Sequence, residues 1–222
     1  VLFRSPPQER RRFLDRAIFT GRPAHLTDVQ ACRRALEARN RVLRGEGPDA
    51  ADPLLLEAFE ETLATSAVRL VEARTRYVEA LRPHFADAFA GIAGGDVRAV
   101  LEYRPSIGST DPTEHQVALA ADRARDRQRG YTARGPHADD LAIALAGRQA
   151  RLYASQGQQR ALVLALKIAE IRLLEALFGL TPVLLLDDVS SELDARRNAR
   201  LFELLHRSEE HTSELQSPCN LV

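Results

Sequence analysis

Four apolar residues, Val183–Leu186, run directly into two adjacent carboxylates, Asp187 and Asp188. A short continuous apolar run that ends in polar residues is the pattern of a strand buried on both faces. Such strands belong to parallel sheets covered by helices, so the segment predicts an α/β architecture. The two acids fall at the C-terminal edge of the strand, where open α/β sheets bind ligands. This is the geometry of a Walker B strand. In that motif the first carboxylate would hold Mg2+, usually through water, and the second would orient or deprotonate an attacking water. A cap on the following helix is the competing explanation for the same two acids.

A second constellation lies upstream in "SQGQQR", Ser155–Arg160, at the head of a long apolar segment. Ser155 is placed to cap a helix, and Gln158 stands three residues on in a capping-box pattern. Gly157 allows a phosphate close to the backbone, and exposed N–H groups at a helix start attract anions. A well-capped helix with no ligand explains these residues equally. The segment that follows is apolar on most sides, which predicts a buried helix packed on the sheet of Val183–Leu186.

The rest of the chain is mainly helical. Phe13, Leu14, Ala17 and Ile18 share one face of a first helix, with arginines expected opposite. Thr27 is the expected N-cap of a second helix, whose stripe of Val29, Cys32, Leu36, Val42 and Leu43 stops at the breaker-rich Gly45–Ala50. Asp52 and Pro53 start a third, long helix, expected to be interrupted at Pro83. Alternation of Val97, Ala99, Leu101 and Tyr103 predicts a short strand. Asp111, Pro112 and Glu114 then open a helix to about Gln128, whose arginines and aspartates are expected to form a solvated face. A hairpin is expected around Gly147.

The 31 basic and 31 acidic residues balance, so no overall field draws the chain to nucleic acid or to an anionic membrane, and DNA contact requires a local patch. Cys32 and Cys219 stand far apart in unlike contexts, which gives neither a metal spacing nor a disulfide framework and points to a reducing cytoplasm. No apolar run approaches the length of a membrane span. Arg207–Val222 lacks periodicity and resembles the conceptual translation of a sequencing adapter, so it carries no weight for the fold.

Three segments, "GPHADD" (Gly135–Asp140), "YASQGQQRALVLALKIAEI" and "PVLLLDDVSSELDARR", taken in order, resemble the RecF family of bacterial DNA replication and repair proteins. "ERRRFLDRAIF" and "RALEARNRVLR" are similar to that family's segments before and into its helical arm. The resemblance implies part of an ABC/SMC-type ATPase head with an all-helical second lobe. Residues 1–20 would be a remnant of the ATPase lobe, 21–130 the arm, 131–206 the C-terminal part of the ATPase lobe, and 207–222 the tail. It implies ATP and Mg2+ as cofactors, and an ATP-dependent homodimer acting on gapped DNA and single-strand/double-strand junctions. RecR- and RecO-type mediators would be partners in loading a recombinase, with a cytoplasmic location and no membrane.

Carried over residue by residue, the resemblance implies that Ser155, Gln156, Gly157, Gln158 and Gln159 contact nucleotide held by the opposite subunit. Asp187 would serve Mg2+ and Asp188 hydrolysis, while Ser191 and Asp194 match the D-loop at the dimer interface. Ala138 departs from the family, which usually has arginine there. No G-x-x-x-x-G-K-[ST] occurs, and the single lysine, Lys167, sits in "LALKIAE" without a glycine run. The chain is therefore expected to be an internal fragment of an ATPase that does not hydrolyse ATP alone. Another SMC- or ABC-type head, or a non-catalytic helical interaction module, are the alternatives.

Overall fold

The computed structural model describes residues 5–46, 53–95, 97–179, 199, 200 and 203. The element order is α1 (Pro7–Gly21), α2 (His25–Leu43), α3 (Pro53–Ala93), β1 (Ala99–Arg104), α4 (Pro112–Arg129), a 3-10 turn (Pro136–Ala138), β2 (Asp140–Leu145), β3 (Arg148–Gln149), α5 (Ala150–Tyr153) and α6 (Gln156–Phe178). The strands form one sheet in the order β1-β2-β3. Two compact units emerge: a first of Ser5–Glu79 with Glu102–Ala142, and a second that holds Ala80–Leu101 and the chain from Ile143 onward.

In the first unit, α1 packs on α2 and α2 on α4. Its apolar core joins Cys32 and Ala35 of α2, Leu63, Ala67, Leu70 and Val71 of α3, Ile107, and Leu119 of α4. Helix α4 starts as expected, with Asp111 accepting from the Thr113 N–H at 2.8 Å, and stops at Gly130, whose φ of 76° suits glycine. Helix α2 begins earlier than expected. Residues 25–27 already donate their N–H groups to the carbonyls of Arg22, Pro23 and Ala24 at 2.9–3.2 Å. A Thr27 cap would have no role there, and Thr27 lies inside the helix. Asp52, the expected cap of α3, lies outside the described residues.

Charges intrude on the apolar faces. Arg10 is buried with Leu14 and Ile18 on α1, rather than opposite them, because its Nε and Nη2 fork onto Asp140 at 2.7 and 2.9 Å. The expected solvated face of α4 holds for Arg125, Arg127 and Arg129, which are exposed, but not for Asp122 and Asp126, which point inward with His115 and Leu119. Arg39, fully buried, donates to Glu60 at 3.1 Å, Asp126 at 2.8 Å, Thr132 at 2.7 Å and the Leu119 carbonyl at 3.0 Å. Arg123 bonds Glu60 from the other side at 2.5–3.0 Å.

The second unit is apolar by contrast. Leu81, Phe85, Ala88, Phe89 and Ile92 of α3 are almost wholly buried, as are Leu162, Ala165, Leu166 and Ala169 of α6. This explains why α3 continues through Pro83 to Ala93 instead of being interrupted. An interior proline costs about 3 kcal/mol, whereas each large apolar side chain buried beyond it contributes about 1.5–3 kcal/mol. The expected hairpin forms around Ala146 and Gly147, with positive φ at both turn residues (49° and 75°), and Leu145 pairs with Arg148. Its second strand lasts only two residues before α5. The apolar run Val183–Leu186 and its expected sheet position lie outside the described residues.

Candidate functional site

Gly135–Asp140 is densely bonded within the first unit. Arg74 of α3 is its anchor. Arg74 forks onto Asp15 through Nε and Nη2, both at 2.9 Å, while Nη1 reaches Asp139 at 2.9 Å and the Pro136 carbonyl at 2.8 Å. Tyr103 donates to the same Asp139 carboxylate, whose other oxygen accepts from the Ser106 N–H at 2.8 Å. Ser106 also closes on Gly135, through the carbonyl at 2.6 Å and the N–H at 2.8 Å. Arg11 donates to the Asp139 carbonyl at 2.7 Å.

Gly135 is required locally. Its φ is 145°, and a Cβ there would meet the His137 ring at 3.0 Å. The imidazole Nε2 lies 2.9 Å from the Thr132 carbonyl, so it is the donor, and Nδ1 is buried without a hydrogen-bond partner among the described residues. Ala138 is exposed and contributes only its N–H, to the Gly135 carbonyl at 2.8 Å.

The electrostatics follow from burial among opposite charges. Burial works against the Asp15 carboxylate, but hydrogen bonds from His25 and Arg74 outweigh it and hold its pKa below the usual range. Burial, then the Asp139 charge, pushes the Tyr103 phenol up and keeps it protonated. His137 is held below its ordinary pKa by burial and by Arg11, despite its bond to Thr132. His115 is lowered by burial and by Arg39. The Cys32 thiol is pushed up to about 11, mainly by burial, and is an inert core group.

In the second unit, Ser155 caps α6 with extended backbone (φ −61°, ψ 163°). Its hydroxyl accepts from the Gln158 N–H at 3.3 Å, and the Gln158 side chain accepts from the Ser155 N–H at 2.9 Å, completing the expected capping box. Gln159 is buried and ties the Ala154 carbonyl at 2.8 Å. Ser155 and Gln156 are exposed, and Gly157 is half-buried. Beside this start, Arg148 stacks on the Tyr153 ring at 3.5 Å from its centroid. The helix start therefore has a rigid inner side and an open outer side that can meet an anion. Lys167 lies within α6 and pairs with Glu170 at 2.8 Å.

The structure thus brings Ser155, Gln156, Gly157, Gln158 and Gln159 together at one helix start. Asp187, Asp188, Ser191 and Asp194 lie outside the described residues. Among the described residues, no group of His, Cys, Asp and Glu is arranged to hold a metal ion, and no helix is long and apolar enough to cross a membrane. Sequence reasoning missed Arg74, Tyr103, Ser106 and Arg11 as the residues that set the Gly135–Asp140 segment. A signal for the first existed: Arg74 stands within the apolar ladder formed by Ala67, Leu70, Val71 and Val78, at helical spacing from its members.

No family model matches the chain. A DNA replication and repair protein RecF from Myxococcus xanthus is 47% identical over 211 residues, covering 91% of this chain and 55% of that protein. The protein of the same name from Anaeromyxobacter sp. (strain Fw109-5) is 47% identical over 213 residues, and that from Geobacter metallireducens is 42% identical over 211, each covering 92% of this chain and 56% of the relative. A solved structure described as the recombination mediator protein RecF-ATP in the RecFOR pathway superposes with a TM-score of 0.80 at 30% identity, over 93% of this chain and 56% of that one. A RecF-ATPrS structure gives 0.77 at 32% identity, over 90% and 56%. The chain spans about half the length of the curated relatives it matches.

Proposed function

The chain belongs to the RecF family over the segment it shares with these relatives, and from that premise we propose that it supplies the signature half of an ATP-dependent DNA repair protein. The observation that carries the proposal is the start of α6, where Ser155–Gln159 present a capped, outward-facing helix N-terminus to an anion. The donor set suits a nucleotide phosphate: free first-turn N–H groups, the exposed Gln156 side chain, and Gly157, which leaves room for close approach. Gln158 and Gln159 act behind it, holding the loop rather than the ligand.

In this reading, which rests on the family resemblance, the phosphate belongs to a nucleotide held by the opposite subunit; the 222 residues themselves contain no P-loop. ATP and Mg2+ supply the phosphoryl group and neutralise its charge when bound. Asp187 would hold the metal's water shell, and Asp188 would orient the attacking water. Ser191 and Asp194 would cross to the partner subunit. The whole protein would close as an ATP-dependent dimer on gapped DNA and single-strand/double-strand junctions. It would act there with RecR- and RecO-type mediators in recombinase loading.

Sedimentation of this chain mixed with full-length Myxococcus xanthus RecF tests the assignment. The expected result is association that needs ATP and is lost in Ser155→Arg, with no turnover by the chain alone. Association indifferent to nucleotide, or unchanged in Ser155→Arg, would sink it.

A further inference from the structure

A groove of about 410 Å3 opens within the first unit, lined by residues of α1, α2 and α3 together with Pro136 and His137. Its floor is apolar, made by Val29 and Leu36 of α2 and Leu70 of α3. Its rim carries Arg11 and Arg12 from α1 and Arg33 from α2; Arg12 and Arg33 are held only by exposed local pairs with Glu9 and Glu37, which an incoming carboxylate can exchange at little cost. Two carboxylates also line it, but both are engaged: Asp15 by Arg74 and His25, and Glu37 by Arg33 at 2.7 Å.

Arg11 is the unusual member. It is half-buried and bonds the Asp139 carbonyl, yet it makes no ion pair among the described residues. Burial and the like charge of Arg74 lower its pKa, against the opposing pull of Asp139, Asp140 and Asp15. A carboxylate in the groove would add to that pull through a forked bond.

We propose that this groove docks an acidic peptide segment of a partner protein, with an apolar side chain seated on Val29, Leu36 and Leu70 and its carboxylates on Arg11, Arg12 and Arg33. Charge complementarity selects the occupant, and the floor refines it. A bare phosphate or a nucleic-acid backbone would leave the apolar strip of Val29, Leu36 and Leu70 unused. An amphipathic helix with leucines four apart and carboxylates between them matches both features. The floor is rigid, since Leu70 belongs to the core of the unit and Val29 and Leu36 pack against it.

The test uses the full chain and a fluorescein-labelled, helix-forming peptide of leucine and glutamate, read by fluorescence anisotropy. Saturable binding is expected, weakened about ten-fold or more by Arg11→Ser. Arg33 is exposed and pairs only locally, so Arg33→Glu guards against misfolding; it should abolish binding of this peptide and favour a version with lysine in place of glutamate. No binding to the unaltered chain overturns the proposal. Equal competition by a single-stranded oligonucleotide overturns it in favour of a phosphate site. Binding to this chain but not to full-length Myxococcus xanthus RecF also overturns it, because the groove would then be filled by the rest of the protein. All three outcomes are independent of Ser155 and of nucleotide, so they leave the signature assignment untouched.

Discussion

The two units reach compactness by different physics. In the first, charged side chains take positions on the buried faces of helices: Arg10 on α1, Arg39 on α2, Glu60 and Arg74 on α3, and Asp126 on α4. In the second, the corresponding positions are leucine, phenylalanine, isoleucine and alanine, and Gln159 is its one buried polar side chain among the described residues. Apolar burial is non-directional and sets how much a core is stabilised. Forked guanidinium–carboxylate bonds are directional and tolerate one register only. The first unit is therefore the one whose helix register is specified by charge. Its weakness is vulnerability, because a buried charge that loses its partner is strongly unfavourable.

The sharpest way to break this comparison is Arg39→Met. It leaves Glu60 and Asp126 buried with one partner fewer each, and should cost about 3–5 kcal/mol in urea unfolding. Adding Glu60→Gln and Asp126→Asn should recover much of that loss, since the stranded charges are removed. A triple variant no more stable than Arg39→Met would mean that the guanidinium acts by packing alone. The counterpart in the second unit is Phe85→Ala, expected to cost about 3 kcal/mol through lost burial and an unfilled cavity. Its cost should be the same at low and high salt.

The same contrast explains what the sequence disclosed. Helices α3 and α6, the hairpin turn at Gly147, the strand around Leu101 and the Ser155 cap were legible, because each rests on apolar spacing or on local turn and cap chemistry. The buried charges were not, because an arginine or aspartate in a helix is ordinarily read as solvent-facing. Yet Arg39 continues the ladder Cys32, Ala35, and Asp126 continues His115, Leu119, Asp122, all at spacings of three or four. A charge that occupies an apolar register is the overlooked signal, and an opposite charge in the apolar register of another helix is its partner. The Ser155–Gln159 start was readable by local chemistry, whereas the Gly135–Asp140 anchoring depends on Arg74, which is remote from it in sequence. Continuation through Pro83 was hidden for a related reason, since local propensity opposes it and only tertiary burial supports it.

Acid should separate the units next. His115 and His137 have folded-state pKa values below their ordinary ones, so the unfolded chain binds more protons in that range. Their stabilisation is present above the unfolded value of about 6.5 and is lost as pH falls toward the folded values. The charged groups facing them are Arg39, Arg11, Asp126 and Asp139. Asp15, also depressed, adds a second loss only below about pH 4. Hydrogen exchange at about pH 7.5 and about pH 5.5 should show protection falling in α2 and α4, while Leu162–Ala169 of α6 holds its values. Equal losses in both units would remove charge as the distinguishing feature. An unchanged first unit would show that the two imidazoles are wetter than their burial implies.

Ser155→Ala is the smallest of these effects, and it tests the comparison from the other side. Two hydrogen bonds meet at this residue, but both belong to the first turn of α6 and both involve neutral groups near the surface. Loss of such a cap costs about 1 kcal/mol, against several for a stranded buried charge. Exchange should quicken at Gln158, whose N–H loses its acceptor, and remain slow from Leu162 onward, where apolar burial carries the helix. Ser155→Asp should restore the cap, because a carboxylate at this position accepts the same bond and also favours the positive end of the helix. The two substitutions then separate stability from ligand binding. Ser155→Asp keeps α6 intact yet places negative charge where an anion would bind, so it should abolish ATP-dependent association while leaving the unfolding midpoint close to that of the unaltered chain. If Ser155→Ala instead destabilised the second unit as much as Phe85→Ala does, the cap would be part of its core, and the outward-facing character assigned to this helix start would be lost.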